Sequence, residues 1–148
     1  MSAHSSTKGA AGWVSIVLFV VGALMIVGGG ITYGMVSSTL AAERITTSPD
    51  ACMAGSSVNG PLPAYCEAMV ISTHVAEATG GKTYAELGRE DPLRVTAMNG
   101  SFLRASLFTS VVAFGVAALA VLLGILFILV GVALRSIAGR VNAPPAAA

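Results

Sequence analysis

Two long apolar stretches, each free of charged side chains, dominate the pattern along the chain. No charge lies between Lys8 and Glu43, and none lies between Arg104 and Arg135. The first gap holds the run Trp13–Val36 (WVSIVLFVVGALMIVGGGITYGMV), and the second holds Ala105–Leu134 (ASLFTSVVAFGVAALAVLLGILFILVGVAL). Each run exceeds the ~20 residues that cross a hydrocarbon core about 30 Å thick. In lipid every backbone polar group needs an internal partner, so both runs are predicted to be helices. A buried helix of a soluble protein is the alternative, and the length of both runs speaks against it. The first run has 24 apolar-segment residues, against about 7–15 in the core of a cleaved signal peptide. It is therefore read as an uncleaved anchor, although the flank Ser37-Ser38-Thr39-Leu40-Ala41-Ala42 is small enough for cleavage. Trp13 and Tyr33 stand near opposite ends of the run, where amphipathic rings favour the headgroup level.

Between the two runs the pattern changes to short helices with punctuation. Pro63 suits the first turn of a helix running to about Thr79, closed by Gly80-Gly81. Within it Tyr65, Ala68, Met69, Ser72, Val75 and Ala76 recur at three- and four-residue spacing and predict one apolar face. Thr83-Tyr84-Ala85-Glu86 has the T-x-x-E form of a capping box and predicts the start of a short further helix. Asp91-Pro92 marks a fresh N-cap, from which a helix continues into the second run with Asn99-Gly100 as its weak point. The resulting expectation is an all-α membrane protein, a two-helix transmembrane hairpin with a small helical extracytoplasmic cap. Its parts are a cytoplasmic tail (1–11), a first span (12–36), a cap (37–104), a second span (105–134) and a cytoplasmic tail (135–148). The end of that last tail, from Asn142 to Ala148, is low in complexity and predicted to be disordered.

Composition agrees: of 148 residues 55% are hydrophobic and 10% charged, with a mean hydropathy of +0.81. Soluble domains carry about 25% charged residues. A net charge of +1 leaves no basic surface for nucleic acid. All the acidic residues fall in 37–104, beside Arg44, Lys82, Arg89, Arg94 and Arg104, while the tails carry Lys8, Arg135 and Arg140. Orientation follows the Lys and Arg close to the spans. There the tails and the middle segment tie, so charge does not decide the topology.

The cysteines break the tie. Cys52 and Cys66 both lie in the middle segment and bracket a turn-rich stretch from Gly55 to Pro63. Such a pair in a translocated loop reads as a disulfide, which places the middle segment outside and both termini in the cytoplasm. Two free thiols facing the cytosol are the alternative. A structural zinc site needs about four ligands, and Cys52, Cys66 and His74 supply only three nearby.

The spans also carry small residues in register. At about 100° per residue, Ser106, Ser110, Ala113, Ala117, Ala120, Gly124 and Gly131 fall on one stripe of the second span. In the first span Ser15, Gly22 and Gly29 form one stripe, and Ala23, Gly30 and Gly34 form a neighbouring face. Small residues let helix backbones approach closely in a membrane. Pairing of the two spans accounts for one stripe on each, so the face with Gly30 and Gly34 is left for another helix.

Candidate chemistry is sparse. Glu67, His74 and Glu77 lean towards one side of the predicted cap helix, and a metal site there competes with a plain solvated face. Diiron bundles take Glu-x-x-His pairs from facing helices, and no second set occurs here. No G-x-S-x-G is present, and Gly28-Gly29-Gly30 lies inside a span rather than in a phosphate loop. No ionisable residue interrupts either span, which argues against a stand-alone transporter or channel. No catalytic, cofactor or metal residue is assigned.

The stretches GKTYAEL (81–87), Asp91-Pro92 and MNGSFLRASLFTSVVAFGVA (98–117) resemble a family of small two-span actinobacterial membrane proteins, over most of residues 12–138. The match is tightest at SFLRASLFTSVVAFGVAAL. Members are often labelled aromatic ring-opening dioxygenases. Non-haem Fe(II) oxygenases use two histidines and a carboxylate. This chain has His4 and His74 only, and the expected topology separates them by the membrane. The resemblance thus implies membership of a family without an established activity. The chain is also similar to accessory subunits of actinobacterial respiratory supercomplexes. The leading expectation is a non-enzymatic interaction subunit whose partners are lipid and other integral membrane subunits, with no nucleic acid or small-molecule substrate. Competing classes are a metal-dependent or redox enzyme centred on Cys52, Cys66, His74 and Glu77, and a self-associating membrane sensor.

Overall fold

A computed structural model describes residues 3–141, with side chains from 12 to 139. It contains three helices: α1 (Ala3–Ala42), α2 (Pro61–Ala78) and α3 (Leu93–Val141). Among the described residues there is no strand, only an isolated bridge between Thr46 and Ser57. The stretch Asn142–Ala148, expected to be disordered, lies outside the described residues. Two helices, covering Gly12–Ala42 and Leu93–Gly139, are long and apolar enough to cross a membrane.

Both long helices outrun the apolar segments that announce them. Past Val36, the hydroxyls of Ser38 and Thr39 donate to the Met35 carbonyl at 2.9 Å, so polar residues continue the helix without a break. α1 stops where Arg44 takes a left-handed backbone conformation, φ 54°. α3 begins as expected at Asp91, whose Oδ1 accepts from the Leu93 N–H at 2.9 Å. It then passes through Asn99-Gly100 unbroken. Gly100 stands there because α2 comes close: a Cβ at this position would meet Val75 Cγ2 at 2.1 Å.

α2 opens at Pro61 with Gly60 at its N-cap, which puts Pro63 in the first turn as expected. Pro61 and Pro63 cost nothing in a first turn whose N–H groups have no partners within the helix. Its C-terminal end is tied off by Thr79, whose hydroxyl donates to Val75 O at 2.9 Å. Gly80 (φ 63°) and Gly81 (φ 83°) then turn the chain away. The expected short helix after Thr83 is instead a single turn. Glu86 Oε2 accepts from both the backbone N–H and the hydroxyl of Thr83 at 2.8 Å. Gly88 and the new start at Asp91 leave too few residues to recover the cost of a helix nucleus. The turn buries Leu87, whose carbonyl accepts from Arg94 Nη1 at 2.7 Å, while the Arg94 guanidinium stacks over Tyr84 at 3.9 Å.

The chain divides into two compact units. The first comprises residues 1–31 with 117–148 and consists of an antiparallel pair formed by the first part of α1 and the last part of α3. A helix pair cannot hide its own outer surface, and Leu24, Val27, Leu122 and Leu129 remain 58–67% exposed. The second unit, 32–116, has a core of its own. Leu40, Val58, Ala64, Ala68, Leu107 and Phe114 are buried together. Tyr33 packs on Phe114 at 4.7 Å between ring centroids, and Tyr65 meets Phe108 edge-on at 6.0 Å.

The apolar face predicted for α2 is mostly open within the chain. Ala68 is buried, but Tyr65, Met69 and Ala76 are exposed, and the buried positions are Ala64, Cys66, Glu67, Ala68 and Val70. The helix packs on two sides. Ala64 and Ala68 join the main core, while Cys66 and Val70 join Ala51 in a smaller cluster beside the loop before it. One simple stripe cannot describe a helix held between two neighbours.

Candidate functional site: a glycine seam, a free glycine face and a stapled loop

In the first unit the helices meet backbone to backbone through glycine. A Cβ on Gly22 would lie 2.6 Å from the Gly124 carbonyl oxygen, and one on Gly124 would lie 2.6 Å from that of Gly22. One turn-pair away, a Cβ on Gly29 would come within 2.7 Å of Ala117 O. At the other end Gly131 faces Ser15 O at 3.3 Å, and Ser15 is fully buried. At this separation Cα–H groups can contact the facing carbonyls, which contributes where no hydrophobic effect drives helix association.

The remaining small residues separate into two other environments. Gly30 and Gly34 have open space where a Cβ would stand, and Ala23 beside them is exposed. On α3 the long stripe divides along its length. Ala117, Gly124 and Gly131 lie buried, Ala120 is half-buried, and Ser106, Ser110 and Ala113 line a cleft in the second unit.

The loop between α1 and α2 is held by covalent and polar ties. Cys52 and Cys66 stand at disulfide distance, with Cα atoms 5.4 Å apart. Thr47 anchors the loop interior: its N–H donates to Ser56 O at 2.9 Å, and its hydroxyl accepts from the Ser56 N–H at 2.9 Å. Glu67, 7% exposed, accepts from the Ser48 N–H at 2.7 Å and from the Ser48 hydroxyl at 3.0 Å. A buried carboxylate is tolerable because both oxygens are hydrogen-bonded.

The three polar residues that leaned together on the sequence go separate ways. Glu67 turns inward to Ser48. His74 Nε2 lies 2.7 Å from Asp50 Oδ2 on the surface, and that hydrogen bond holds the Asp50 carboxyl below its ordinary value of 3.8. The Glu86 carboxyl is likewise lowered by the hydrogen bonds from Thr83. No group of three or more His, Cys, Asp or Glu converges on a common point among the described residues. His4, the other histidine that a two-histidine, one-carboxylate set would need, lies outside the residues whose side chains are described. Asp50 and Ser48 were not legible as partners, since they belong to an irregular loop whose path no periodicity sets.

Comparison with protein-family models, with curated proteins and with solved structures gives no match to this chain.

Proposed function

We propose that the protein is a two-span integral protein of a bacterial cell membrane and serves as an interaction subunit of a larger membrane assembly. The spans are the apolar parts of α1 and α3, both termini are cytoplasmic, and residues 37–104 form a stapled cap outside. It works by packing rather than by catalysis, and its partner is the helix of another integral subunit. The resemblance to accessory subunits of actinobacterial respiratory supercomplexes names the first assembly to search.

The observation that carries this reading is the unused glycine face. Gly22 and Gly29 are consumed by the pairing of α1 with α3, whereas Ala23, Gly30 and Gly34 face open space. Glycine in a helix costs about 1 kcal/mol relative to alanine in the measured soluble hosts. A face that carries that cost without an internal contact fits close approach by a further helix. The disulfide supports the orientation, because such bonds persist in oxidising compartments.

The test is co-purification of the tagged chain from gently solubilised native membranes, with quantitative mass spectrometry of its companions. A stoichiometric set of membrane subunits is expected, depleted by Gly30→Leu and Gly34→Leu while the variants keep the wild-type melting temperature. The same companions at the same abundance in both variants would refute the proposed docking face.

A further inference from the structure

The second unit contains a cleft of about 810 Å³, walled by the C-terminal part of α1, by α2 and by α3. That volume falls within the roughly 300–1,000 Å³ of pockets that hold small molecules. From Met35 to Ala42 the end of α1 rises about 10 Å along this wall, and Glu43 lies just past the helix. Val36, Leu40 and Leu107 supply apolar lining along this length, and Glu43 and Glu67 supply two carboxylates.

The charged groups of the lining have one sign, and most of its hydroxyls are acceptors. Neither lysine nor arginine lines the cleft; Arg44 and Arg104, close in sequence, line separate hollows. Thr39, Thr109 and Ser110 spend their hydroxyl protons on carbonyls of their own helices, at 2.9, 2.8 and 3.1 Å. Each therefore offers the cleft only lone pairs, whereas Ser106, exposed in the same lining, has no such bond and can donate as well as accept. α1 ends at the same place with no basic residue in its last turn, and Arg44, two residues on, lines a different hollow. An apolar trough with acceptors and two carboxylates complements an amphiphile whose head donates hydrogen bonds and carries positive charge.

We propose that this cleft is a binding site for a phospholipid with a primary-ammonium headgroup, one acyl chain against Val36, Leu40 and Leu107, the ammonium at Glu43 and Glu67, and the anionic phosphodiester left in water outside this cation-free lining. It rests on the membrane reading above, since the apolar length of α1 and α3 is what brings bilayer lipid to the opening. Glu67 keeps its bonds to Ser48 while presenting remaining lone pairs, and Glu43 is exposed and free to turn to the headgroup.

The experiment is native mass spectrometry of the purified full chain with matched dioleoyl lipids: phosphatidylethanolamine, phosphatidylcholine and phosphatidylglycerol. One phosphatidylethanolamine is expected to stay bound under activation that strips the other two. Neutralising one carboxylate near the ammonium should weaken retention about fivefold, the Coulomb interaction of unit charges about 4 Å apart in water. Glu43→Gln tests this without touching the Ser48 bonds, and Glu67→Gln tests the inner carboxylate. Equal retention of all three lipids, or a Glu43→Gln chain that binds like wild type, would overturn the site. So would a protein companion occupying the cleft in place of lipid. Alkaline carbonate washing of native membranes separates the two levels. A chain that stays in the pellet yet ignores the headgroup sinks the cleft alone, whereas a chain released into the supernatant sinks both it and the membrane reading.

Discussion

Gly124→Ala puts the glycine seam to its sharpest test. The added Cβ would lie 2.6 Å from Gly22 O, 2.8 Å from Ile26 Cγ1 and 3.1 Å from Ile26 N, where ordinary contact begins at 3.4 Å. Two of these three atoms belong to backbone, so no rotamer change relieves them. The helices must part by about 0.8 Å, a gap at which dispersion contacts lose a quarter to a half of their well depth. Overpacking of this kind costs about 1–3 kcal/mol, offset by up to about 1 kcal/mol from the better helix propensity of alanine. The net loss then lies between about 0 and 3 kcal/mol, and its middle, about 1–2 kcal/mol, corresponds to a fall in melting temperature of roughly 2–8 °C for a chain of this size. The assay is thermal unfolding in mild detergent, followed by circular dichroism and by Trp13 fluorescence. Gly30→Ala is the matched control, because nothing lies within 4 Å of its Cβ. That variant should melt at or above the wild-type temperature. Were Gly124→Ala to melt as high as wild type, the seam would not be the close contact that its geometry describes.

Two further outcomes concern the second unit. The disulfide joins residues 14 apart, and closing a loop of that size stabilises by about 3 kcal/mol in the chain-entropy model. Reductant should lower the wild-type melting temperature and leave Cys52→Ala/Cys66→Ala unchanged; a wild-type chain indifferent to reductant would contradict the bond. Asp50, held below 3.8 by the hydrogen bond from His74, should show a carboxyl carbon titration midpoint under that value by NMR, rising towards it in His74→Ala. Because its folded pKa is depressed, its contribution to stability is complete above the unfolded value of about 3.9 and is lost as pH falls through the lower folded one. A wild-type midpoint at or above 3.8 would refute the pairing.

The sequence by itself determined the two long helices, because apolar length and the need to satisfy the backbone are local, additive properties. It also marked the helix starts around Pro63 and at Asp91-Pro92, and the turn at Gly80-Gly81, since each uses a residue whose backbone chemistry has one outcome there. The tertiary structure decided everything that depends on a neighbour. Asn99-Gly100 was legible only as the weak point of a continuing helix, and the structure shows why glycine stands there: it makes room for Val75 of α2. Thr83–Glu86 has the residues of a helix start, yet the chain available before Asp91 stops it at one turn. Glu67, His74 and Glu77 share a lean on the helical wheel, but a loop without periodicity supplied Ser48 and Asp50 and drew two of them apart. Periodicity also put Gly22, Gly29, Gly30 and Gly34 on two adjacent faces of one helix without telling which would be used. Only the position of α3 assigned Gly22 and Gly29 to the seam and left Gly30 and Gly34 open. A helical wheel states which residues can be neighbours; the partner's backbone determines which of them are.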